Sequence, residues 1–358
     1  MFMTPDFQKD VILSDYTTIC LGGKADNFIS CATTESVQET VKYSKENNLS
    51  LQVISGGSNI IFPDEGYRGI VMKVDIKGIS LKHENGKAKL ITGAGENWDE
   101  TVRYTVDNGL AGLECLSGIP GTAGATPVQN VGAYGQEVKD IVKIVKAIDR
   151  KTLDEVKFNN EECNFGYRDS RFKSSDKDRY IITEVIFEFD IKKEPEIKYP
   201  ELKDYIERSS ASLVTKSQIE KLNFIRESVL SLRKKKSMLT DPENPDTRSC
   251  GSFFTNPVLK EDEFKSFEKT AEDLNLKFPF YRTGSKYKIL AAWLVENSGF
   301  RKGYTENGAG ISSSHSLALV NRGCSTEALL ELSEKIKIRV KEKFGIRLMT
   351  EPVIVKNI

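Results

Sequence analysis

Apolar residues along this chain recur with helical spacing in some segments and with strand-like spacing in others. In residues 34–48, Val37 and Val41 stand four apart behind a threonine that suits a helix cap. The motif Asn85-Gly86 divides an alternating stretch, which predicts a hairpin. Helices are predicted over residues 34–48, 97–109, 216–236, 261–275, 288–299 and 326–344. Strands, including the two of the hairpin, are predicted over residues 51–54, 69–74, 79–95, 141–149, 180–190, 316–321 and 348–355. This order of elements predicts an α+β fold, because it is not a regular strand–helix–strand repeat.

A linker divides the predicted elements into two groups. Residues 240–249 contain two prolines and show no hydrophobic period, as is typical of linkers. The chain has 358 residues, more than one hydrophobic core usually holds, so we expect two or three packed units. We therefore predict a domain boundary near residue 240.

Charge and cysteine content exclude several classes of protein. Lysine plus arginine equals aspartate plus glutamate at 52 each, so no excess positive field exists to attract nucleic acid. The six cysteines are scattered without a CxxC pair, and there are only two histidines, so we expect no zinc or other metal site. Cysteines without a disulfide-like pattern fit a reducing cytosol.

The chain also lacks the sequence signals of export and of membrane insertion. Its first ten residues, MFMTPDFQKD, hold no apolar run of signal-peptide length. Nowhere does an apolar run reach the roughly 18 residues that a membrane-spanning helix needs. We therefore expect a cytoplasmic protein that does not insert into a membrane.

The loop SGGSN at residues 55–59 is a candidate anion site. Its consecutive glycines, Gly56 and Gly57, let backbone N–H groups converge on one point, as in a phosphate-binding nest. Side-chain donors are added by Ser55, Ser58 and Asn59. A tight turn explains the two glycines equally well. The loop matches neither the Walker pattern nor the dinucleotide fingerprint GxGxxG.

A second glycine-rich stretch is SGIPGTAGATPVQNVGAYG, residues 117–135. Its five glycines and two prolines exclude a helix or a central strand. The stretch carries almost no charge, unlike most surface loops, so we expect it to lie against something flat and partly polar, such as a bound cofactor. The side chains of Gln129 and Asn130 can pair with the edge of a heterocycle. The alternative is a packed Ω-loop.

Arginine and lysine residues are concentrated in two short segments. In FGYRDSRFK, residues 165–173, Arg168 is suited to gripping a carboxylate, although an Arg–Asp surface cluster fits as well. The segment RKKKS, residues 233–237, closes a predicted helix, where the macrodipole favours cations. Phosphate binding is the alternative function of that segment.

Three single polar residues stand at unusual positions. In CGSFFTNP, Ser252 occupies the first apolar position of a possible strand. In LMTEPVIV, Glu351 interrupts an apolar run, so it must lie at an edge or be buried with a partner. His315 precedes a predicted strand, and a lone histidine is more often a structural hydrogen-bonding group than a catalyst.

Together these motifs resemble the UDP-N-acetylenolpyruvoylglucosamine reductase family, in the family's order and over about residues 16 to 355. The matching segments are YTTICLGGKADNF, SGGSNIIF, SGIPGTAGATPVQNVGAYG, FGYRDSRFK, RKKKS, CGSFFTNPV, AAWLVENSGFRKG, HSLALVN and TEPVIV. The resemblance implies an FAD-binding fold of the vanillyl-alcohol-oxidase type, with two α+β lobes and a separate α+β substrate-binding domain. The implied ranges are 1–75 for lobe 1, joined by a C-terminal strand at 346–358, 76–239 for lobe 2, and 240–345 for the substrate domain.

The resemblance also implies roles for individual residues. Catalytic roles fall to Arg168, which polarises the enolpyruvyl carboxylate, to Ser252 as proton donor, and to Glu351 as the acid paired with Arg168. FAD would be bound by Ser55, Gly56, Gly57, Ser58, Asn59, Gly121, Ala123, Gly124, Ala125, Gln129, Asn130 and Gly132. Substrate would be bound by Tyr134, Tyr167, Tyr199, Arg233, Lys236, Asn256 and His315. The segment PEIKYPELKDYI, residues 195–206, resembles the insertion of the family's longer subtype, and Tyr199 matches its tyrosine. A departure from the family is Cys250, which stands where a small residue such as alanine is more usual.

The implied reaction is the NADPH-dependent reduction of UDP-N-acetylglucosamine enolpyruvate to UDP-N-acetylmuramate, a peptidoglycan precursor. FAD would be bound non-covalently, and we expect a monomer. Negative charge builds on the substrate beside its carboxylate, so a cation and a hydrogen-bonded acid are needed there, and a proton must then reach carbon. Two alternatives are an FAD-dependent sugar or alcohol oxidase of the same superfamily, and a flavin- or nucleotide-sugar-binding module without activity.

Overall fold

The computed structural model describes residues 5–209 and 216–357, so the first four residues of the amino-terminal stretch lie outside it. The first elements in the chain are β1 (Val11–Ile12), β2 (Lys24–Cys31), α1 (Thr34–Glu46), β3 (Leu51–Ile54), β4 (Ile60–Ile61) and β5 (Tyr67–Val74). Strands β1, β2, β5 and β3 form one sheet in that order, with β2 and β3 parallel to β5. Helix α1 buries Val37 and Val41, the valines whose spacing predicted it.

A five-stranded sheet follows, and all its neighbouring strands are antiparallel. The elements of this part are β6 (Ile79–Glu84), β7 (Lys87–Gly93), α2 (Trp98–Asp107), β8 (Gly132–Ala133), β9 (Gln136–Glu137), β10 (Val142–Asp149), β11 (Glu155–Asn159), β12 (Tyr180–Asp190), α3 (Pro200–Arg208) and α4 (Gln218–Lys235). The sheet order is β11-β10-β12-β7-β6. The predicted hairpin is confirmed, because Glu84 pairs with Lys87 across Asn85-Gly86.

The remaining elements surround a four-stranded sheet of order β13-β19-β18-β17 and a three-stranded sheet of order β14-β16-β15. They are β13 (Ser249–Ser252), β14 (Val258–Leu259), α5 (Glu261–Asp273), β15 (Phe280–Thr283), β16 (Lys286–Ile289), α6 (Ala291–Asn297), β17 (Thr305–Glu306), β18 (Ala309–Ile311), β19 (Ala318–Asn321), α7 (Thr326–Phe344) and β20 (Val353–Ile354). The mixture of sheets and helices confirms the predicted α+β class.

The hydrophobic cores cross the boundaries between these parts. One core joins residues of the first sheet, such as Met72, to residues of the second, such as Leu90 and Val185. Another core consists mainly of residues after Cys250 but also contains Ile61 of β4. Burial of apolar surface therefore holds the sheets to one another as well as stabilising each of them.

The segment at residues 349–355 pairs with two different parts of the chain. Its first half lies against the strand that continues from β13: the Thr255 N–H donates to Met349 O at 3.0 Å, and the Glu351 N–H donates to Phe253 O at 2.9 Å. Its second half is β20, which lies parallel to β4. This one segment therefore joins the third part of the chain to the first.

Two differences from the predicted elements have physical reasons. The predicted helix at 288–299 begins only at Ala291, because Lys286–Ile289 pair with β15 as a strand. The predicted strand at 348–355 is divided, since its two halves have different partners. Helix α3 went unpredicted, although Pro200 at its first position is a typical start.

No helix in the described ranges is long and apolar enough to cross a membrane. The described cysteines are all free thiols, and no described group of three or more His, Cys, Asp or Glu residues could hold a metal ion.

A core residue shared between parts tests this arrangement. Ile61→Ala removes a fully buried side chain, and we expect the free energy of unfolding to fall by about 2–5 kcal/mol. The control is Ile338→Ala on α7, where the side chain is 49% exposed and we expect a change within about 0.5 kcal/mol. Urea unfolding followed by circular dichroism measures both, and equal effects would contradict a shared core at Ile61.

Candidate active site

A cavity of about 1050 Å³ opens between the three parts of the chain. Nearly all of the predicted site residues line it, although they come from segments far apart in sequence. They are Ser55, Gly56, Gly57, Ser58, Asn59, Gly121, Gly124, Ala125, Gln129, Gly132, Tyr134, Tyr167, Arg168, Tyr199, Arg233, Lys236, Ser252, Asn256, His315 and Glu351. The fold therefore brings the predicted cofactor, substrate and catalytic residues together in one space.

Two predicted cofactor residues lie outside the cavity lining. Ala123 is fully buried in the core between the first two sheets. Asn130 is also buried, and its amide donates to Gly166 O at 2.8 Å and to Glu137 Oε2 at 3.0 Å. Its side-chain oxygen accepts from the Lys139 N–H at 3.1 Å. The Asn130 side chain therefore makes its hydrogen bonds within the protein, and these bonds hold the glycine-rich stretch in place.

The two glycine-rich loops touch where side chains are absent. A Cβ atom on Gly56 would lie 2.6 Å from the Cα of Gly121, closer than real Cβ atoms approach. A Cβ on Gly57 would lie 1.8 Å from the carbonyl oxygen of Tyr16, and Gly57 also has a φ of +64°. Glycine is therefore required at Gly56 for the two loops to form one wall, and at Gly57 for the first loop to pack against Tyr16.

This wall offers backbone donors. Within the described residues, the N–H groups of Gly56, Gly57, Ser58 and Asn59 donate to no backbone or side-chain acceptor. The wall is fixed by side chains: Ser58 Oγ donates to Pro120 O at 2.9 Å, and Asn59 Nδ2 donates to Gln129 Oε1 at 2.8 Å. Consecutive free N–H groups that include a left-handed glycine are suited to an anion such as phosphate.

Arg168 and Glu351 form an ion pair across the cavity. Arg168 Nε lies 3.3 Å from Glu351 Oε1, and Arg168 Nη2 donates to Gly132 O at 2.6 Å. The backbone of Arg168 is left-handed, with a φ of +53°, which is uncommon for a residue other than glycine. Such strained residues concentrate at functional sites. The Gly132 carbonyl and the Glu351 carboxylate therefore hold the guanidinium in place, and the left-handed backbone sets the direction from which the side chain starts.

Burial raises the pKa of Glu351 above its ordinary value. The opposing influences are Arg168 and Lys173, whose charges lower that pKa. Lys173 lines the cavity, and its Nζ donates to Arg168 O at 3.1 Å. Burial therefore favours the neutral form of the Glu351 carboxyl group, whereas the two cations favour its charged form.

Ser252 lies at the end of β13, directly beside the segment that carries Glu351. The preceding Gly251 has a φ of +71°, and the following Phe253 donates its N–H to Leu317 O at 2.7 Å. Phe253 O in turn accepts the Glu351 N–H at 2.9 Å. Phe253 and Phe254 are buried, so the serine faces the cavity from the edge of an apolar wall. The hydroxyl and the carboxyl are therefore held by neighbouring strands.

The far end of the cavity is aromatic and cationic. The rings of Tyr134 and Tyr199 meet edge to face, with centroids 5.5 Å apart. Arg233 is buried, and its Nε has no hydrogen-bond partner among the described residues. Lys236 pairs with Glu201 at 2.6 Å. Two cations in the lining of one cavity fit an anionic ligand.

Sequence reasoning missed several residues that line the cavity. The Lys288 ammonium lies 3.9 Å from the ring centroid of Tyr167, and burial lowers the pKa of that lysine. It was missed because residues 288–299 have helical spacing, whereas Lys288 belongs to β16. Tyr281 of β15 also lines the cavity. Lys173 is part of FGYRDSRFK, but the sequence pattern did not predict its contact with Arg168.

Comparison with known families matches both halves of the chain. Residues 242–355 match the C-terminal domain of UDP-N-acetylenolpyruvoylglucosamine reductase, and residues 25–152 match an FAD binding domain. A solved UDP-N-acetylenolpyruvylglucosamine reductase from Thermus caldophilus superposes with a TM-score of 0.66 at 23% identity, covering 99% of this chain and all of that one. This likeness confirms the predicted fold.

Two curated relatives are similar over nearly their whole length. The UDP-N-acetylenolpyruvoylglucosamine reductase of Thermobifida fusca is 43% identical over 360 residues, which cover 99% of each chain. That of Streptomyces avermitilis is also 43% identical, over 97% of this chain and 94% of its own. The chain therefore belongs to the UDP-N-acetylenolpyruvoylglucosamine reductase family.

Proposed function

We propose that this chain reduces UDP-N-acetylglucosamine enolpyruvate to UDP-N-acetylmuramate with NADPH, as a step of peptidoglycan precursor synthesis. The observation that carries the proposal is the meeting of Arg168, Glu351 and the Ser252 strand in one cavity beside a glycine-built wall. Family membership agrees with it. The cavity lies at the upper end of the size range for ligand sites, which leaves room for a cofactor and a substrate side by side.

The residues of the glycine-built wall fit FAD. The free N–H groups of Gly56, Gly57, Ser58 and Asn59 would hold its diphosphate, and the uncharged stretch at 117–135 would cover its ring. When bound, FAD supplies the hydride chemistry, since it accepts a hydride from NADPH and passes it to an acceptor. We take the binding to be non-covalent.

The ion pair of Arg168 and Glu351 would stabilise negative charge on the substrate. Arg168 would bind the enolpyruvyl carboxylate and stabilise the negative charge that develops beside it. Glu351, whose pKa burial raises, would donate a hydrogen bond to that carboxylate in its protonated form. The Gly132 carbonyl and the Lys173 contact keep the guanidinium and its backbone from moving during the reaction.

Ser252 would deliver the proton from its Oγ to carbon. An ordinary serine is a weak acid, so the alkoxide left behind needs nearby positive charge. Arg168, Lys173 and Lys288 line the same cavity and supply it. The buried side chains of Phe253 and Phe254 exclude water from one side of the serine, which strengthens these interactions.

The aromatic and cationic end would bind the uridine diphosphate part of the substrate. Arg233, Lys236 and Asn256 would contact the diphosphate, while Tyr134, Tyr167 and Tyr199 would enclose the ligand. His315 Nδ1 accepts the Leu317 N–H at 3.1 Å, so the proton of the neutral ring lies on Nε2. That Nε2–H would be the donor to substrate.

We also propose that the chain acts as a cytoplasmic monomer and divides into residues 1–75 with 346–358, residues 76–239 and residues 240–345. The division is supported by the sheets, because each draws its strands from within one of these three units. The size of the protein in solution, measured by light scattering, tests the monomer.

The flavin spectrum tests the proposed function directly. We expect purified protein to be yellow, to be bleached by NADPH without oxygen, and to regain its colour when UDP-N-acetylglucosamine enolpyruvate is added. Reoxidation by oxygen alone, with no response to that substrate, would identify an oxidase instead. A yellow protein that binds UDP-N-acetylglucosamine enolpyruvate but never turns it over would identify a binding module.

Ser252→Ala separates the two halves of the reaction. We expect bleaching by NADPH to keep its rate, while product formation falls by about 10²–10⁴-fold, because only the second half needs the proton. Stopped-flow absorbance measures each half. Ser298→Ala, outside the cavity lining, is the control and should leave both unchanged. Equal loss in both halves would contradict the role of Ser252.

The pH dependence of stability tests the neutral state of His315. Burial, together with the nearby charges of Lys236, Lys302 and Arg233, lowers the pKa of His315 from 6.5 to about 4. Because the native pKa lies below the unfolded value, the unfolded chain binds more protons between these values. Stability should therefore fall as the pH drops from about 6.5 to 4, by up to about 1.4 kcal/mol per pH unit.

The matching variant is His315→Gln, which keeps a polar side chain but cannot titrate. Urea unfolding of the wild type and of this variant should differ in pH slope only within that window. Parallel slopes would mean that His315 keeps its ordinary pKa in the folded protein.

A further inference from the structure

The linker at residues 240–249 contains a buried carboxylate, that of Asp246. Its Oδ2 accepts hydrogen bonds from Ser312 Oγ at 2.6 Å and from Ser313 Oγ at 3.0 Å. Its Oδ1 accepts from the Ser313 N–H at 3.0 Å and from Arg322 Nη2 at 2.7 Å. Asp246 therefore joins the linker to the segments on either side of β19, although it does not line the cavity.

The serines that Asp246 binds begin the turn between β18 and β19, residues 312–317. Ser312 is fully buried, and its Oγ accepts two backbone N–H groups of the turn, one of them that of His315 at 3.2 Å. One donor and two acceptor sites are all that a hydroxyl has, so this one is fully used. At the end of the turn, His315 Nδ1 accepts the Leu317 N–H at 3.1 Å. Hydrogen bonds therefore lead from Asp246 through Ser312 to His315.

The charge of Asp246 strengthens its hold on the turn. Burial by itself would raise the pKa of Asp246, but the hydrogen bonds from Ser312 and Ser313 oppose this, and the pKa lies below its ordinary value. An ionised carboxylate has acceptor sites only, and its hydrogen bonds are stronger than those of a neutral acceptor. The turn is therefore held by an anion that none of its other contacts replaces.

The turn reaches the cavity beside the cationic end. His315 lines the cavity together with Lys236. Ser314 Oγ lies 3.2 Å from the Oγ of Ser237, the residue that follows Lys236. The position of the turn therefore sets where the His315 ring stands relative to the cations proposed to bind the diphosphate.

We propose that Asp246 is a positioning residue for substrate binding, which acts through Ser312 to hold the His315 ring in one tautomer and one orientation. The inference rests on the proposed contact between His315 Nε2–H and the substrate. Because the Asp246 carboxylate lies outside the cavity lining, it acts only through the turn. Loss of its charge should therefore weaken substrate binding and leave the chemical steps unchanged.

Nitrogen-15 NMR of the histidine side chains tests the positioning without any substrate. Above the ordinary pKa of histidine, the FAD-loaded wild type should show His315 with a protonated Nε2 and an unprotonated Nδ1. In Asp246→Asn, which keeps the shape of the side chain but not its charge, we expect averaged shifts from two tautomers. The sequence holds only one other histidine, His83, which is exposed on β6 and serves as the internal reference. An unchanged His315 signal in Asp246→Asn would overturn the inference.

Steady-state kinetics gives the second measurement. In Asp246→Asn we expect the KM for UDP-N-acetylglucosamine enolpyruvate to rise by about 3- to 10-fold, the equivalent of one hydrogen bond, with kcat unchanged. Bleaching of the flavin at saturating NADPH should keep its rate. A fall in kcat at constant KM would show that Asp246 supports the Ser252 strand instead, and would also overturn the inference.

Two matched variants separate the turn from the ion pair. Ser312→Ala removes the hydroxyl between Asp246 and His315, and it should reproduce both the mixed tautomers and the higher KM. Arg322→Gln removes the ion pair of Asp246 but leaves the serine hydrogen bonds, and it should change neither. The reverse pattern would mean that Asp246 only stabilises the domain. Near-ultraviolet circular dichroism shows whether each variant is folded, and Ser312→Ala carries the test by itself if Asp246→Asn is not.

His315→Ala distinguishes this inference from the proposed function. If His315→Ala raises KM and Asp246→Asn does not, the substrate contact stands and the positioning role is wrong. If His315→Ala has the KM of the wild type, the substrate contact is wrong and the positioning role fails with it. In the double variant, Asp246→Asn should add nothing to the effect of His315→Ala, because both act on one contact. A further rise in KM would show that Asp246 acts elsewhere and would overturn the inference.

Discussion

The site depends on one constraint: the backbone of residues 349–355 must satisfy two partners at once. Glu351 is hydrogen-bonded through its N–H to Phe253 O, and Val353 through its N–H to Asn59 O. Phe253 follows Ser252, the proposed proton donor, and Asn59 ends the SGGSN loop, the candidate anion site. These two backbone hydrogen bonds fix the strand, so the main chain places Glu351 between the strand that contains Phe253 and the loop that ends at Asn59.

The charges of Arg168, Glu351 and Lys173 then determine which ligands and reactions this geometry favours. A buried carboxylate and a buried guanidinium are each costly alone, and the cost is offset when they pair and have further hydrogen-bond partners. Arg168 meets this requirement with Glu351 and the Gly132 carbonyl, while Lys173 adds a second positive charge. The cavity therefore holds its charges in place before any ligand enters, which is the preorganisation that stabilises a developing anion.

Part of this was predictable from the sequence. The consecutive glycines of SGGSN indicated a candidate anion site, with a tight turn as the alternative. The catalytic roles proposed for Arg168, Ser252 and Glu351 came from the resemblance to the family. The place of Lys288 in the cavity lining was not predictable, because it depends on the pairing of β16 with β15. The division of the predicted strand at 348–355 was also not predictable, because an apolar run gives no information on which strand each half will pair with. The sequence could also not show that the Asn130 side chain is hydrogen-bonded to Gly166, Glu137 and Lys139, because these contacts form only in the folded chain.

The double pairing of the C-terminal segment also governs the order in which this protein can assemble. Asn59 and Glu351 meet across 292 residues of chain. During synthesis β20 is made long after its partner β4, and domains otherwise fold from the N-terminus as they appear. Until then, the two residues of β4 lack their strand partner, and Ile61 lacks the core to which it belongs. We therefore expect the SGGSN loop, which precedes β4, to become rigid only after β20 has been made.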